Sequence, residues 1–409
     1  MPANGPRLKP SVPAARPEFK ADFQSIESSR HVALAVSGGS DSMALLRLAA
    51  AWAEHRTERP RLSVLTVDHG LRAGSDAEAV QVAKWASACG LEHHVLVWTG
   101  PKPTTGVQAK ARQARYDLMA EWCKANGADV LLTAHSRDDQ AETVLMRLQR
   151  TQSPASLAGI PAIGQWDGVP LIRPVLGSSR AELRTYLNGL DQPWIDDPSN
   201  LDRRFERVRV RQQLLELAPH GVTAERLVRL GQACSTADSL LQRCSDQWLL
   251  LWLREADAGV CYAPLAAMTG LPQALQQRIL SRIVTHYGGG QLKPEPAELE
   301  RLGGWLGGGG PKRCTLAGAV VGKRKMEFWV TREASRIDPA PVTIRNGVPA
   351  VWDQRFRIEA PDGSTIGPAG EVTVPLDSTV PVHARRAYPL VKLPETAGGA
   401  AKVSFLRLL

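Results

Sequence analysis

The sequence predicts a doubly wound α/β domain, followed by a small helical domain and a β-rich C-terminal domain. From residue 31 to about residue 172, short apolar runs alternate with helix-length amphipathic segments, the pattern of a parallel sheet covered by helices. After residue 220 the periodicity becomes helical, and after residue 311 apolar and polar residues alternate around turn signals such as Asn346-Gly347. We therefore expect a flexible tail over 1–24, the α/β domain over 25–217, helices over 218–310 and strands over 311–409.

Four strand–helix pairs make up the predicted α/β domain. Strands are expected over 31–36, 62–67, 93–98 and 129–133. Helices are expected over 42–55, 76–88, 107–126 and 138–150, each long enough for a right-handed crossover between parallel strands. Beyond this domain, helical periodicity covers 223–256 and 271–286, and the glycines of 307–310 resemble a linker.

The amino-acid composition excludes several classes of protein and favours one class of partner. Of the 409 residues, 43% are hydrophobic and 22% charged, which excludes wholesale disorder. The 50 Lys and Arg exceed the 41 Asp and Glu by nine charges, which favours a polyanionic partner such as nucleic acid. No stretch approaches the roughly 20 apolar residues of a membrane helix, so no membrane partner is expected. The six cysteines form no CxxC or metal-binding spacing, so we expect reduced thiols in a cytoplasmic protein. The sequence leaves open whether the protein forms a homodimer.

A glycine- and serine-rich hexad follows the first predicted strand and precedes the first predicted helix. Glycines allow backbone N–H groups to surround an anion, serine hydroxyls add donors, and the start of a helix favours negative charge. An ordinary glycine turn capped by a serine or aspartate is the alternative, and the lysine of the P-loop motif is absent. The hexad therefore predicts a phosphate site formed by Ser37, Gly38, Gly39, Ser40, Asp41 and Ser42.

Two further segments carry candidate ligand-binding residues. Asp68 and His69 end the second strand, at the sheet edge where α/β proteins bind ligands, although a solvated loop would explain them too. Arg112 and Arg115 share one face of a helix and would bind phosphate or nucleic acid. A solvated basic face is the equal alternative.

A group of acidic residues follows the fourth strand. Asp138, Asp139 and Glu142 lie three or four residues apart on one predicted helix, directly after His135. A capping box between Ser136 and Asp139 would explain the acids in the first turn, but it explains neither His135 nor Glu142. We therefore expect a catalytic cluster that binds a metal or an ammonium group.

An arginine-rich segment lies between the α/β domain and the predicted helices. Its density of positive charge would neutralise phosphates and make binding salt-sensitive, with Trp194 and Phe205 nearby to stack on a base or to pack in the core. A solvated arginine face is the alternative. The candidate nucleic-acid-binding residues are Arg203, Arg204, Arg207, Arg209 and Arg211.

These motifs resemble one family of the PP-loop ATP pyrophosphatases. The hexad SGGSDS resembles the pyrophosphate loop of that superfamily, which cleaves ATP to AMP and pyrophosphate. Together with VDHGLR, ARQARY, TAHSRDDQAET, Ile172-Arg173-Pro174 and the segment from Trp194 to Arg211, it is similar to the tRNA(Ile)-lysidine synthases over about 30–215. Val208 departs from the family pattern, in which asparagine is common.

The resemblance implies an activity and partners. The enzyme would use ATP to activate the wobble cytidine of an isoleucine tRNA with a CAU anticodon, and would join L-lysine to it. Asp41 would bind Mg²⁺, and Asp68 and Arg112 would contact ATP with the hexad. His135 and Arg112 would face the phosphates or the adenylated intermediate, and the acid cluster would bind the lysine ammonium. The alternatives are a PP-loop tRNA sulfur transferase and a non-catalytic tRNA-binding module.

Overall fold

The computed structural model describes residues 21–70, 75–100, 105–150, 153–197, 202–372, 374, 376–377, 379–394 and 400–408. The chain divides into two compact units, 1–237 and 238–409. The predicted tail lies outside the described residues as far as residue 20.

The first unit contains the predicted α/β domain. Its four predicted strands and four predicted helices are present, with ends that differ by at most two residues from those expected. The elements are β1 (His31–Ala35), α1 (Ser40–Glu54), β2 (Arg61–Asp68), α2 (Ser75–Ala88), β3 (Glu92–Val97), α3 (Val107–Asn126), β4 (Val130–Leu132), α4 (Arg137–Leu148), α5 (Pro154–Leu157), β5 (Ile163–Trp166), β6 (Val169–Ile172), α6 (Arg180–Asn188), α7 (Glu206–Leu217) and the start of α8 (Ala224–Trp252).

The strands form one six-stranded sheet in the order β3-β2-β1-β4-β6-β5. All neighbours are parallel except β5 and β6, which form an antiparallel hairpin. This hairpin is absent from the elements expected from the sequence, although Asp167-Gly168 at its turn is a recognised hairpin signal. Both residues adopt positive φ, 47° and 79°, which is the conformation that a two-residue turn of this kind requires.

Apolar cores cover both faces of this sheet. In β1, Val32 and Leu34 contribute to one core and Ala33 to the other, because successive strand residues point to opposite faces. The first core also contains Leu45 of α1, and the second contains Tyr116 of α3. Helices therefore pack on both faces, and the predicted doubly wound architecture is confirmed.

The strand order places the candidate site. From β1 the chain proceeds outward to β2 and β3, and the next strand, β4, returns to the other side of β1. The loops after β1 and β4 consequently diverge at this point and leave a crevice at the carboxyl edge of the sheet, the usual ligand position in such folds. The hexad follows β1 and the acidic segment follows β4, so the topology brings these two motifs together.

The second unit is β-rich and contains the end of α8. Its further elements are β7 (Arg254–Ala256), β8 (Val260–Pro264), α9 (Leu265–Thr269), α10 (Gln273–Tyr287), α11 (Pro296–Gly307), β9 (Arg313–Leu316), β10 (Ala319–Arg324), β11 (Glu327–Arg332), β12 (Val342–Thr343), β13 (Ala350–Trp352), β14 (Phe356–Glu359), β15 (Thr365–Pro368), α12 (Val382–Arg386), β16 (Pro389–Lys392) and β17 (Lys402–Phe405). They form sheets ordered β7-β8-β11-β10-β9, β12-β15-β16 and β13-β14-β17.

The domain boundaries differ from those expected. Residues 218–310 do not form a separate helical unit, because β8 pairs with β11 across the expected boundary at 310/311. Ile279 and Ile283 of α10 share one core with Val321 and Phe328 of the sheet, since the apolar face of this helix is buried by the strands. The glycines after α11 are therefore a turn within this unit, and the division of the chain falls at 237/238.

Within the part of the chain that the structure describes, none of the helices combines the length and the apolarity that a membrane span requires.

Candidate active site

The hexad forms a tight loop between β1 and α1. Gly38 adopts φ +85°, a left-handed conformation that favours glycine, and its carbonyl accepts a hydrogen bond of 2.9 Å from the Ile195 N–H. A Cβ added at Gly38 would lie 2.7 Å from Ile195 Cδ1 and 3.1 Å from Val82 Cγ2. Gly39 caps the first turn of α1, so the free N–H groups of a fifteen-residue helix lie at this loop. The loop therefore has the backbone geometry of an anion site.

Serine hydroxyls hold the loop in shape. Ser42 Oγ donates to the Gly39 carbonyl (2.9 Å) and accepts from the Ser37 N–H (3.2 Å). Ser40 Oγ donates to Asp41 Oδ1 at 3.2 Å. Ser42 thus stabilises the turn, whereas Ser37 is exposed and is the hydroxyl best placed to reach a ligand.

The predicted capping box at the start of α4 is present. Asp139 Oδ2 accepts from the Ser136 N–H (2.9 Å) and from Ser136 Oγ (3.0 Å). Its second oxygen, Oδ1, accepts from Arg180 Nη2 at 2.6 Å. The capping interpretation is therefore confirmed for Asp139, but it uses only one of the two carboxylate oxygens.

Arg180, the first residue of α6, connects the two predicted motifs. Its Nη1 donates to Glu142 Oε1 (2.7 Å), and its Nε donates to Asp41 Oδ2 (3.3 Å). Its backbone N–H donates to Asp138 Oδ2 at 2.8 Å. One residue thus contacts the carboxylate of the hexad, Asp41, and the three carboxylates of the predicted catalytic cluster, Asp138, Asp139 and Glu142.

These contacts shift the acidities of the carboxyl groups in opposite directions. Burial alone would raise the pKa of Asp139, but the positive charge of Arg180, the Ser136 N–H and the charge of Arg207 together hold this pKa below its usual value. At Asp41, burial raises the pKa and outweighs the attraction of Arg180, and the negative charge of Asp139 raises it further. Asp139 is therefore well suited to remain a carboxylate and to bind a cation.

His135 is a neutral residue surrounded by cations. Burial, with the charges of Arg173, Arg112 and Arg207 acting in the same direction, lowers its pKa to about 3, although the charge of Asp139 opposes this shift. Its Nδ1 lies 3.0 Å from Thr133 Oγ1. The positive charge available to an anion at this edge therefore comes from arginines rather than from the predicted histidine.

The predicted basic face of α3 is present and is directed towards an aromatic pair. The guanidinium carbons of Arg112 and Arg115 lie 5.0 and 5.5 Å from the centre of the Tyr116 ring, which stacks on Trp166 at 4.9 Å. Burial lowers the pKa of Arg115, and the nearby charges of Arg112 and Arg207 act in the same direction. Arg112 is exposed and lies within electrostatic range of His135.

The arginine-rich segment separates into two groups. Arg207 and Arg211 of α7 form ion pairs with the acid cluster, to Asp139 Oδ1 (3.4 Å) and Glu142 Oε1 (3.0 Å). Arg203, Arg204 and Arg209 lie outside it, where Arg204 pairs with Asp202 and Arg209 Nη1 donates to the carbonyls of Arg203 and Arg204. A tRNA-binding role for the five arginines stays a prediction.

Trp194 and Val208 have structural roles. Trp194 lies under the Arg184 guanidinium at 5.8 Å and donates to Asp196, so its ring packs inside the unit. Val208 is buried, so an apolar contact occupies the position where an asparagine was expected.

Asp68 closes the connection after β2. Its Oδ1 accepts from the Gly70 N–H (2.9 Å) and from Ser75 Oγ (2.7 Å). The last two residues of the same motif, 71 and 72, lie outside the described residues. The ATP contact of Asp68 stays a prediction.

Comparison with known proteins identifies the family. A model described as a PP-loop domain matches residues 14–218. A tRNA(Ile)-lysidine synthase of Methylobacterium nodulans is 42% identical over 299 residues, 71% of this chain and 86% of the relative. Relatives of the same name from Rhodopseudomonas palustris and a Bradyrhizobium species are 40% and 37% identical, covering 74% and 82% of this chain and 91% and 97% of their own lengths.

The chain belongs to the tRNA(Ile)-lysidine synthase family. The family resemblance inferred from the motifs is thereby confirmed. In the second unit, where the motifs gave only a weak match, the Bradyrhizobium relative extends the similarity well beyond the PP-loop domain.

The positions of two thiols argue against sulfur transfer by this member of the family. Cys89 follows α2 and Cys123 lies in the last turn of α3, so both are at the amino edge of the parallel strands, opposite the site. Burial also raises the pKa of Cys123 to about 11, which keeps this thiol protonated and weakly nucleophilic at neutral pH.

Neither Arg180 nor Arg173 was given a role at the site from the sequence, although Arg173 belongs to a motif of the resemblance. Arg180 follows Ser179, whose capping box with Glu182 marks the start of a helix just after β6, so this motif could have placed it at the ligand edge. Arg173 directly follows β6, where it is buried, and its Nη1 donates to the Pro161 carbonyl at 2.7 Å. Both were hidden because an isolated arginine has no distinguishing spacing.

Proposed function

We propose that this protein is a tRNA(Ile)-lysidine synthase. It adenylates the wobble cytidine of the CAU anticodon of an isoleucine tRNA and then joins L-lysine to that base, giving lysidine, AMP and pyrophosphate. The product reads AUA instead of AUG and carries isoleucine identity instead of methionine identity. The observation that carries the proposal is the meeting of a phosphate loop and a four-carboxylate cluster at one crevice, in a chain of this family.

The first step is adenylation, and the loop and the arginines serve it. The Ser37–Ser42 loop and the start of α1 would hold the pyrophosphate end of ATP. Arg112, Arg173 and Arg207, which act electrostatically on His135, would stabilise the charge that develops on the α-phosphate. The cytosine carbonyl oxygen attacks the phosphorus of the α-phosphate, and pyrophosphate leaves. The carbonyl oxygen, a poor leaving group, is thereby bonded to the adenylate and can depart as part of AMP in the second step.

Asp41 fits a magnesium ion bound jointly with the phosphates. Mg²⁺ commonly takes one or two carboxylates and completes its shell with phosphate oxygens and water. Asp41 offers a half-buried carboxylate at the edge of the loop, and no group of three or more metal-ligating side chains occurs among the described residues. When bound there, the ion would neutralise charge on the departing pyrophosphate.

The second step is attack by the lysine amine, and the acid cluster serves it. The ε-amine has a reference pKa of about 10.4, so it arrives as an ammonium ion that needs carboxylate partners. Asp139 and Glu142 supply them, and Glu142 Oε2 is buried with no hydrogen-bond partner among the described residues. A carboxylate of this cluster accepts the proton as the amine attacks the base, and AMP leaves.

The exposed arginines support tRNA binding. Arg203, Arg204 and Arg209 lie at the start of α7, next to the acid cluster that Arg207 and Arg211 contact. Phosphate contacts there would orient the anticodon towards the crevice. The six cysteines are free, which supports activity in the cytoplasm.

The test is incorporation of radiolabelled L-lysine by the purified full chain with ATP and Mg²⁺. The substrate is an isoleucine tRNA transcript with a CAU anticodon, and a methionine tRNA of the same anticodon is the control. We expect label in the isoleucine tRNA alone, with equimolar release of AMP. Absence of label, with ATP still bound, would refute the proposal.

A variant with all six cysteines changed to alanine separates the sulfur-transfer alternative. We expect this variant, once shown to fold, to keep its lysine incorporation. Loss of lysine incorporation with an unchanged melting temperature would show that a thiol takes part in the reaction and would contradict this expectation.

A further inference from the structure

Arg180 occupies the acid cluster that the proposed function assigns to the lysine ammonium. We infer that Arg180 exchanges these carboxylates for the phosphates of ATP, and that this exchange opens the cluster to lysine, so that ATP binding strengthens lysine binding. The inference rests on the proposed function and adds to it an order of binding and a residue that imposes it.

The acceptor atoms of the cluster are covered by this side chain. Arg180 donates to Asp139 Oδ1 at 2.6 Å and to Glu142 Oε1 at 2.7 Å. Asp139 Oδ2 is held by the capping box with Ser136, and the Glu142 side chain is only 1% exposed. An ammonium group therefore reaches these oxygens only after the guanidinium has moved.

Glu142 indicates that a ligand belongs at this point. Its Oε2 is buried without a hydrogen-bond partner among the described residues, although Oε1 accepts from both Arg180 and Arg211. Leaving a buried carboxylate oxygen unpaired is costly, so natural structures rarely keep one without a functional reason. An ammonium ion has three donors and would satisfy Oε2 together with an oxygen that Arg180 vacates.

ATP provides the competing anion for Arg180. The Nε of Arg180 lies 3.3 Å from Asp41, a residue of the phosphate loop, so the guanidinium already reaches the edge of the site where the phosphates would bind. Guanidinium groups bind phosphates through paired, charge-assisted hydrogen bonds. The backbone N–H of Arg180 stays bonded to Asp138, which allows the side chain to turn while α6 remains in place.

The balance of charges in the cluster couples the movement of Arg180 towards ATP to the binding of the lysine ammonium. Among the described residues, the four carboxylates of the cluster are in contact with three arginines, Arg180, Arg207 and Arg211. When Arg180 turns to ATP, the cluster loses one positive charge, and the lysine ammonium restores it. Without ATP, lysine must displace a cation that has no alternative partner, so its binding is weak.

Calorimetry of L-lysine binding to the full chain tests this coupling, with and without a non-hydrolysable ATP analogue and Mg²⁺. In the wild type we expect the analogue to lower the lysine Kd by about tenfold, within the usual range of coupling between sites. In Arg180→Gln we expect lysine to bind with nearly the same Kd in both conditions, and more tightly than wild type when the analogue is absent. The matched control is Arg137→Gln, which removes an arginine paired with Glu182 and should keep the tenfold effect.

The outcomes distinguish this inference from a purely structural role. If Arg180 only braces the cluster, Arg180→Gln weakens lysine binding in both conditions and leaves the effect of the analogue unchanged, which overturns the inference. Arg180→Lys keeps the positive charge but loses the paired N–H donors of the guanidinium. If the glutamine variant does not fold, the lysine variant should fold and should show a reduced effect of the analogue. Lysine that binds wild type equally in both conditions refutes the coupling alone, whereas lysine that never binds refutes the proposed function as well.

Discussion

Replacing Gly38 by alanine should damage the phosphate loop selectively. Gly38 has φ +85°, a conformation that costs other residues about 1–2 kcal/mol. The new Cβ would also lie 2.7 Å from Ile195 Cδ1 and 3.1 Å from Val82 Cγ2, and overpacking of this kind costs about 1–3 kcal/mol. The two effects add to about 2–5 kcal/mol of strain, part of which the loop relieves by moving away from the geometry that binds phosphate.

Two measurements check this prediction. Thermal unfolding followed by circular dichroism should show a lower melting temperature for Gly38→Ala, and calorimetry should show at least about tenfold weaker binding of an ATP analogue, equivalent to about 1.4 kcal/mol.

Gly39→Ala is the control for folding, because Gly39 has φ −69° and its added Cβ would meet nothing closer than Ser37 Oγ at 3.8 Å. Wild-type stability and ATP affinity in Gly38→Ala would refute the reasoning about this loop.

Three further predictions follow from the site. Asp139→Asn should keep ATP-analogue binding, because the amide oxygen still caps α4. The variant should lower lysine incorporation at least about a hundredfold, because it removes the negative charge that pairs with a cation. The control Asp167→Asn, at an exposed turn, should match wild type in the same assay. The pKa of His135 is about 3 in the folded chain and 6.5 in the unfolded chain, so the unfolded chain binds an extra proton between these values and stability falls as pH decreases through this window. His135→Asn should therefore show a smaller fall in melting temperature between pH 7 and pH 5 than wild type. An equal fall would contradict the conclusion that His135 is neutral in the folded chain. Changing Arg203 and Arg209 together to glutamine should weaken tRNA binding and reduce the slope of the logarithm of the tRNA-binding constant against the logarithm of salt concentration by about two, since each phosphate contact contributes about one. The control Arg61→Gln, at an exposed position on the amino edge of the sheet, should leave that slope unchanged. Filter binding over a series of salt concentrations measures wild type and both variants.

The local features of the α/β domain were determined by the sequence alone. Hydrophobic periodicity and glycine position act over a few residues, so four of the strands, four of the helices and the loop at Gly38 could be predicted without the fold. The capping box at Ser136 and Asp139 was predictable for the same reason, because its partners are three residues apart.

The second unit was less predictable. Helical periodicity in α10 correctly indicated an apolar face, but it did not reveal what that face packs against. The pairing of β8 with β11 joins residues more than sixty positions apart, and short-range patterns carry no information about such contacts.

The division of work between the arginines was decided only by the tertiary structure. In the sequence, Arg207 and Arg211 are indistinguishable from Arg203 and Arg209, yet the position of α7 directs the first pair to carboxylates. Arg180 is 139 residues from Asp41 and 38 from Glu142, and it meets both because the strands before them end at one edge of the sheet. Sequence determines which charges the chain carries, and the strand order determines which of them must share a buried space and therefore pair.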